Sequence, residues 1–97
     1  MALLIKANGE RREVTVPASD QLVFLQQCVG GNIEQVPLLG DCPDSVGYAG
    51  AFCDEEGKIK GRPINEVATE MAGRDNMLGV NDPLVGAVLF FKEGEVD

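Results

Sequence analysis

The amino-terminal residues show the hydrophobic pattern of a β-hairpin. Residues 2–7 are mostly apolar, and the pair Asn8-Gly9 that follows readily takes the positive φ angles of a tight turn. Residues 13–16 then return as a second strand, which Pro17 ends because proline cannot donate to a strand ladder. We therefore predict a hairpin of strands 2–7 and 13–16.

A helix is predicted directly after this hairpin. Ser19 can accept hydrogen bonds from the first free N–H groups of a helix, and Gly30 can end one. Between them, apolar residues recur at helical spacing and should form one stripe that faces the sheet. These residues are Leu22, Leu25, Cys28 and Val29.

The middle of the chain predicts two strands separated by a loop. Residues 32–36 are typical of a strand that ends near Pro37. Residues 40–47 are rich in turn formers and indicate a long loop. Residues 48–53 then fit a strand followed by an acidic turn.

The carboxyl-terminal part predicts a short helix and a buried strand. Asn65 is placed to cap a helix of about two turns, with Val67, Ala68 and Met71 on its inner face. Residues 84–91 lack polar alternation, which indicates a strand buried on both faces in the centre of the sheet. We expect slow amide exchange there.

These elements predict a single compact α+β domain over residues 1–97, in the order β-β-α-β-β-α-β. That order suggests a mixed sheet with the helices against one face. Its first half, a hairpin followed by a helix and a strand, is β-grasp-like in order. The acidic tail over residues 92–97 is expected to fray.

The charge balance restricts the partners that the protein can attract. Acidic residues outnumber basic ones by sixteen to eight, which gives a net charge of −8. This charge disfavours nonspecific binding to nucleic acid and to anionic membranes, and it fits a basic partner. Acidity that only maintains solubility explains the same imbalance.

The cysteines and the apolar runs indicate a cytoplasmic protein. Cys28, Cys42 and Cys53 are an odd number without a C-x-x-C pair, which argues against a secreted disulfide framework. The apolar run after Pro83 stops at Phe91, far short of the roughly 20 residues that cross a bilayer. We expect reduced thiols, no membrane insertion and no export.

The chain lacks the residues of common catalytic mechanisms. It contains no histidine, which removes the commonest general base and the commonest zinc ligand. Neither of the glycine-rich motifs that cradle ATP or dinucleotides occurs. The cysteine spacings do not match a zinc site, and Cys42 lies between acids that should raise its thiol pKa. We therefore expect no enzyme activity, no cofactor and no metal.

A short basic segment is the sharpest candidate for binding. Its residues Lys58, Lys60 and Arg62 alternate, so an extended backbone would aim them to one side. Asn65 opens the next helix, whose free N–H groups could extend an anion-binding surface, and the Gly30-Gly31-Asn32 loop would allow close approach of a ligand. The side chains should be exposed, so removing them should leave the fold intact.

Structural roles for the same residues compete with this hypothesis. The three cations could instead pair with Glu55 and Glu56 on an exposed turn. Helix termination and a turn would suffice to explain Gly30 and Gly31.

Several short motifs, taken in order, carry a resemblance that covers nearly the whole chain. They are Leu3-Leu4-Ile5-Lys6, Val29-Gly30-Gly31-Asn32-Ile33-Glu34 with Val36-Pro37-Leu38, Asp54-Glu55-Glu56-Gly57-Lys58, Pro63-Ile64-Asn65-Glu66-Val67-Ala68-Thr69, and Val85-Gly86. With them the chain resembles a family of small uncharacterised proteins, encoded by bacteriophages, plasmids and their bacterial hosts, that is known only as a domain of unknown function.

The resemblance transfers no catalytic residue, and Cys42 lies outside its motifs. It implies a small mobile-element protein that inhibits host enzymes, sequesters defence signals or modulates transcription in the bacterial cytoplasm.

Three functions follow from these observations. The first is a non-catalytic binding protein that sequesters an anionic small molecule, such as a nucleotide signal of host defence, at the basic segment. The second is an acidic inhibitor that presents carboxylates to the basic site of a host nucleic-acid enzyme. The third is an enzyme of unknown chemistry. A homo-oligomer is also expected, because small domains often gain binding surface by self-association.

Overall fold

Five short strands form the framework of the protein in the computed structural model, which describes residues 1–38, 47–73 and 83–96. The elements are β1 (Ala2–Ile5), β2 (Arg11–Val14), α1 (Gln21–Val29), β3 (Ile33–Val36), β4 (Gly50–Asp54), α2 (Glu66–Met71) and β5 (Val88–Phe91). The predicted loop over residues 40–47, with Cys42, lies outside the described residues except for Gly47. The α+β class is confirmed, while the bounds of several elements differ in detail from those predicted.

The sheet has the order β2-β1-β5-β4-β3, and every neighbouring pair is antiparallel. The prediction of a mixed sheet is therefore wrong. The physical reason lies in the connection through α2, which begins and ends at the same end of the sheet. Phe52 pairs with Leu89 and Gly50 pairs with Phe91, so β5 returns beside β4 in the opposite direction. The strand that follows α1 is an edge strand, on the far side of the sheet from the hairpin.

Helices cover both faces of the sheet, which corrects the expectation that they share one face. Side chains of a strand alternate between faces. On β5, Leu89 and Phe91 pack with Leu25 of α1, whereas Phe90 packs with Ala68 of α2. The interior strand β5 is consequently buried on both faces, as its uninterrupted apolar sequence predicts.

The amino-terminal hairpin closes earlier than predicted. The N–H of Lys6 donates to the carbonyl of Glu10, and the N–H of Gly9 donates to Lys6, both at 2.9 Å. Because this pairing joins Lys6 to Glu10, the second strand starts at Arg11 rather than at Glu13. This earlier start places the charged residues Arg11 and Arg12 in the edge strand of the sheet.

Helix α1 starts and packs differently from its prediction. It begins at Gln21 after Asp20, whose φ is 55°, and no side chain caps its start, so Ser19 does not have the predicted role. Leu25 and Val29 are buried as expected, but Leu22 is 57% exposed. Phe24 packs on the sheet in its place. Gly30 ends the helix with a φ of 82°, which confirms the predicted stop.

The last strand is shorter than predicted, and the tail that follows it contacts the domain. The regular ladder covers Val88–Phe91, because Gly86 adopts a φ of 70° before it. In the tail, Glu95 accepts from the backbone N–H of Lys92 at 2.7 Å and pairs with the amino terminus at 3.5 Å. Both contacts join Glu95 to other residues of the domain, and the fraying expected for residues 92–97 stays a prediction. Among the described residues, no helix has the length and apolar composition needed to cross a membrane.

Candidate functional site

A buried carboxylate organises the basic segment. Asp54 ends β4 on the face covered by α1, and its side chain is only 1% exposed. Its Oδ2 accepts from Nζ of Lys60 and from Nε of Arg62, both at 2.9 Å, while its Oδ1 accepts from the N–H of Glu56 at 2.9 Å. Two cations therefore converge on one carboxylate, and we call Asp54, Lys60 and Arg62 the Asp54 cluster.

Asp54 remains charged despite its position. Burial by itself raises the pKa of this carboxyl, but the hydrogen bonds from Lys60, from the backbone of Glu56 and from Arg62 outweigh burial. The net effect lowers the pKa of Asp54 below its ordinary value. The cluster thus holds one negative and two positive charges at neutral pH.

Arg62 ties the turn after β4 to the end of α1. Its Nη2 donates to the carbonyl of Gly30 at 2.9 Å, where the helix leaves carbonyl groups without intrahelical partners. A Cβ on Gly86 would lie 2.8 Å from Cδ of Arg62, so the side-chain stem passes close over this glycine. Arg62 is therefore held along its length, and its side chain is 32% exposed.

The glycine loop takes part in the same contacts. Gly31 lies so close to the cluster that a Cβ on it would meet both Asp54 and Lys60 at 2.7 Å. The carbonyl of Asn32 accepts from the N–H of Glu55 at 2.8 Å, and its side chain accepts from Gln26 at 3.3 Å. The structure thus brings Gly30, Gly31, Lys60 and Arg62 together as the sequence suggested, but around Asp54.

Asn65 lies outside this cluster and is fully buried. Its Oδ1 accepts from the N–H of Ala68 at 3.0 Å, which confirms it as the cap of α2. Its Nδ2 donates to the carbonyls of Ile5 at 2.9 Å and Gly86 at 2.8 Å. With both amide hydrogens and the oxygen engaged inside the protein, the side chain presents nothing to the surface.

The basic segment is not extended, contrary to the geometry assumed from its alternating pattern. Residues 55–61 form consecutive turns, in which Lys60 N–H donates to Glu56 at 2.9 Å and Arg62 N–H donates to Gly57 at 3.0 Å. Lys60 and Arg62 are 39% and 32% exposed, so they are less accessible than expected. Their pairing with an acid was foreseen, but the acid is Asp54 rather than Glu55 or Glu56. Ligand binding by these residues stays a prediction.

A small cleft lies beside β4, where Cys53 and Val36 line it and Asp54 is also among its lining residues. Its volume is about 100 Å³. The apolar residues Val36, Pro83 and Leu84 line it, together with the acidic residues Glu34 and Glu55. Lys58 also lines this cleft, whereas Lys60 and Arg62 do not. A cleft of this size accommodates a side chain rather than a whole cofactor.

Neither of the two cysteines that the structure describes is fully exposed. Cys53 is buried in the core, and Cys28 is half-buried, where burial raises the pKa of its thiol. Within residues 1–38, 47–73 and 83–96, no three His, Cys, Asp or Glu side chains gather as a metal site requires. Cys42 falls outside those ranges.

Comparison with known proteins gives a family and nothing more specific. No curated protein and no solved structure matches the chain. One family model, described as Domain of unknown function (DUF3846), matches residues 1–97, the full length of the chain. This protein therefore belongs to the DUF3846 family, whose function is unknown.

Proposed function

We propose that this protein is a non-catalytic binding protein that engages a basic surface of another protein through exposed carboxylates. The observation that carries the proposal is that several of its cations form ion pairs within the protein, whereas several exposed carboxylates do not. Lys60 and Arg62 are occupied by Asp54, and Lys6 pairs with Glu10 at 3.1 Å. Some of the positive charges that a polyanion would bind are thus already paired with carboxylates of the protein itself.

The acidic groups are distributed differently. Glu34, Glu55 and Glu56 are exposed, and no ion pair within the described ranges involves them. Two of them border the same cleft. These unpaired carboxylates, in a chain of net charge −8, produce a negative field that steers a basic protein towards this end of the sheet.

A nuclease or polymerase has a basic nucleic-acid site, and it is the class of partner that this field fits. In a mobile genetic element such a protein would act as an inhibitor of a host enzyme. The absence of histidine and of catalytic motifs in the sequence supports a role without catalysis.

The test is to recover the partner from a cell extract and to compare its retention by variants that lack chosen carboxylates. The tagged protein is immobilised and exposed to an extract of the cells that naturally make it, and retained proteins are eluted with salt and identified by mass spectrometry. We expect the variant Glu34→Gln/Glu55→Gln to lose a basic protein that the parent retains. The matched variant Glu13→Gln/Glu93→Gln removes the same charge from exposed positions elsewhere, and it should keep that protein. Identical retention by the two variants, or retention that salt does not weaken, contradicts the proposal.

A second function, sequestration of a small anion, is favoured by one feature of the Asp54 cluster. Two cations share one carboxylate, which leaves an excess of one positive charge beside the Gly30-Gly31 loop. A bound anion would have to share donors that already contact Asp54, which is why this function ranks second. Calorimetric titration with inorganic phosphate and with AMP tests it. Heat of binding that disappears in Lys60→Gln would place this function first.

A further inference from the structure

We propose that the outer edge of β3 binds an extended segment of the basic partner by strand addition, with the cleft beside Val36 accepting one of its apolar side chains. This inference rests on the proposed function and names the surface and the chemistry of the segment. Three observations support it. They are which backbone groups of β3 point away from β4, the side of the sheet on which the cleft lies, and the charges around β3 and the cleft.

One backbone hydrogen bond shows which N–H and C=O groups of β3 face β4 and which face outward. The N–H of Glu55 donates to the carbonyl of Asn32 at 2.8 Å, so these opposed residues form a hydrogen-bonded pair. Such pairs alternate along an antiparallel ladder, which makes Glu34 with Cys53 and Val36 with Ala51 the next bonded pairs. The N–H and C=O groups of Ile33 and Gln35 consequently point away from β4.

These outward groups form a free edge, because among the described residues no strand pairs with the far side of β3. The other edge strand is guarded differently. It carries Arg11, Arg12 and Glu13 in succession, and charged side chains discourage pairing at an edge. Pro37 follows β3 and has no N–H, so it limits an added strand to a short stretch centred on Gln35.

The cleft lies on the side where an added strand would place alternate side chains. Val36 belongs to the core cluster on the α2 face, and Glu34 has the same orientation because it is two residues away. Both residues line the cleft. Residues of an added strand directly opposite Val36 and Glu34 would therefore project on this face, within reach of the cleft and of the Glu55 carboxylate.

The pairing defines a recognition pattern. In an antiparallel strand, the residue opposite Val36 precedes the residue opposite Glu34 by two positions. An apolar side chain fits the first position, and Lys or Arg fits the second, where Glu34 and Glu55 are available. The middle residue exchanges both backbone hydrogen bonds with Gln35. The predicted motif is apolar, any residue, basic.

Charge favours this occupant over a second copy of the chain. Two copies joined through β3 would bring molecules of net charge −8 edge to edge and place their Glu34 side chains near each other. A basic segment instead neutralises the carboxylates at the cleft. Strand addition also gives affinity through the backbone, so the partner needs few specific side chains.

The test uses the peptide Thr-Thr-Val-Thr-Lys-Thr-Thr, acetylated and amidated at its ends, titrated to millimolar concentration and followed by amide chemical shifts. We expect the largest shifts at Ile33–Val36 and at Glu55. N-methylation of the central Thr removes the donor to Gln35 and should weaken binding about tenfold or more. N-methylation of the Lys should have little effect, because that N–H faces away from β3. Equal binding by the two methylated peptides, or no shift at β3 with the parent peptide, overturns the inference.

Protein variants separate this inference from the proposed function. Gln35→Pro removes an outward N–H without removing a bond to β4, and Gln35→Ala keeps that N–H as the matched control. Gln35→Pro should lose both the peptide and the natural partner, while Gln35→Ala retains them. If Gln35→Pro keeps the partner that Glu34→Gln/Glu55→Gln loses, strand addition is wrong and the proposed function stands. If neither variant loses it, both are wrong. A parent dimer that Gln35→Pro dissociates would show that a second copy occupies the edge, which also overturns the inference.

Discussion

A Cβ atom on Gly31 would lie 2.7 Å from Oδ1 of Asp54, which is so close that the Gly31 backbone or the Asp54 side chain would have to move. The carboxylate has little freedom to move, because it is buried and accepts hydrogen bonds from three donors. We expect Gly31→Ala to lower the free energy of unfolding by about 1 to 3 kcal/mol through overpacking. Urea denaturation measures the change. Gly61→Ala is the control, since a Cβ there meets no atom within 4 Å and only its φ of 72° opposes it, at about 1 kcal/mol. Losses of equal size would show that the cluster yields to the added methyl group.

Removing both cations of the Asp54 cluster should destabilise the protein, although the sequence alone suggested that they are dispensable. The variant Lys60→Ala/Arg62→Ala leaves a buried carboxylate without its charged donors. Hydrogen bonds to charged groups contribute about 1.5 to 3 kcal/mol each, so we expect a loss of about 3 kcal/mol in urea denaturation. The variant Arg11→Ala/Arg12→Ala removes two exposed cations from β2 and should change stability by only about 0.5 kcal/mol. Similar values for both variants would contradict the structural role of the cluster.

The cluster also predicts an acid-dependent loss of stability. The pKa of Asp54 is lower in the folded protein than its ordinary value of 3.8. A group of this kind stabilises the fold above its ordinary pKa, and the contribution is lost as the pH falls through the lowered folded value. Asp54→Asn should therefore be less stable than the parent at neutral pH by about 2 kcal/mol, and the difference should shrink steadily below about pH 4. Denaturation curves at a series of pH values test this, and a difference that stays constant would contradict it.

The Asp54 cluster shows where sequence reasoning reached the site and where it stopped. The alternation of Lys58, Lys60 and Arg62 pointed to the correct segment, but it presumed an extended backbone. Gly57 and the turns that follow it change that geometry, and the acid they fold onto ends the preceding strand. An aspartate at the end of a buried strand, just before a basic turn, was the available signal. The contact of Arg62 with Gly30 joins residues far apart in the chain, and no local pattern encodes it.

Local capping rules and hydrophobic runs predicted the fold better than the sheet topology. The stop at Gly30 and the cap at Asn65 depend on short-range physical chemistry and are present, although the cap predicted at Ser19 is not. The interior strand predicted over residues 84–91 is present over Val88–Phe91. Strand direction depends on where a connection returns to the sheet. The sequence pattern of residues 55–87 does not reveal that return, so a mixed sheet was predicted.

Asn65 should matter more as a bridge between backbone segments than as a helix cap. An N-cap substitution costs about 1 kcal/mol, but Asn65→Ala also removes the two hydrogen bonds that the side-chain amide donates to the buried carbonyls of Ile5 and Gly86. We expect a total loss of about 2 to 4 kcal/mol in thermal or urea denaturation. Asn65→Asp separates the two roles, because it keeps the acceptor for Ala68 and removes the donors. Recovery of most of the stability by Asp would mean that capping is the main role.

Amide exchange within β3 provides the sharpest test of the edge on which strand addition depends. The N–H groups of Glu34 and Val36 are assigned to the ladder with β4, whereas those of Ile33 and Gln35 face outward. Exchange followed by NMR in the isolated protein should therefore alternate along β3, with Ile33 and Gln35 exchanging much faster than their neighbours. The interior strand Val88–Phe91 should exchange slowest, because β1 and β4 pair with its two sides.

The opposite edge supplies the internal control for this experiment. The bond from Lys6 N–H to Glu10 makes Lys6 and Glu10 a bonded pair, so the N–H of Arg12 faces β1 and the N–H of Glu13 faces outward. The same alternation is expected there, which separates an edge effect from general fraying of short strands. If β2 alternates while Ile33 and Gln35 are as protected as Glu34, another part of the protein or a second copy already covers β3. The edge would then be unavailable to a partner, and the acidic surface would have to act through side chains alone.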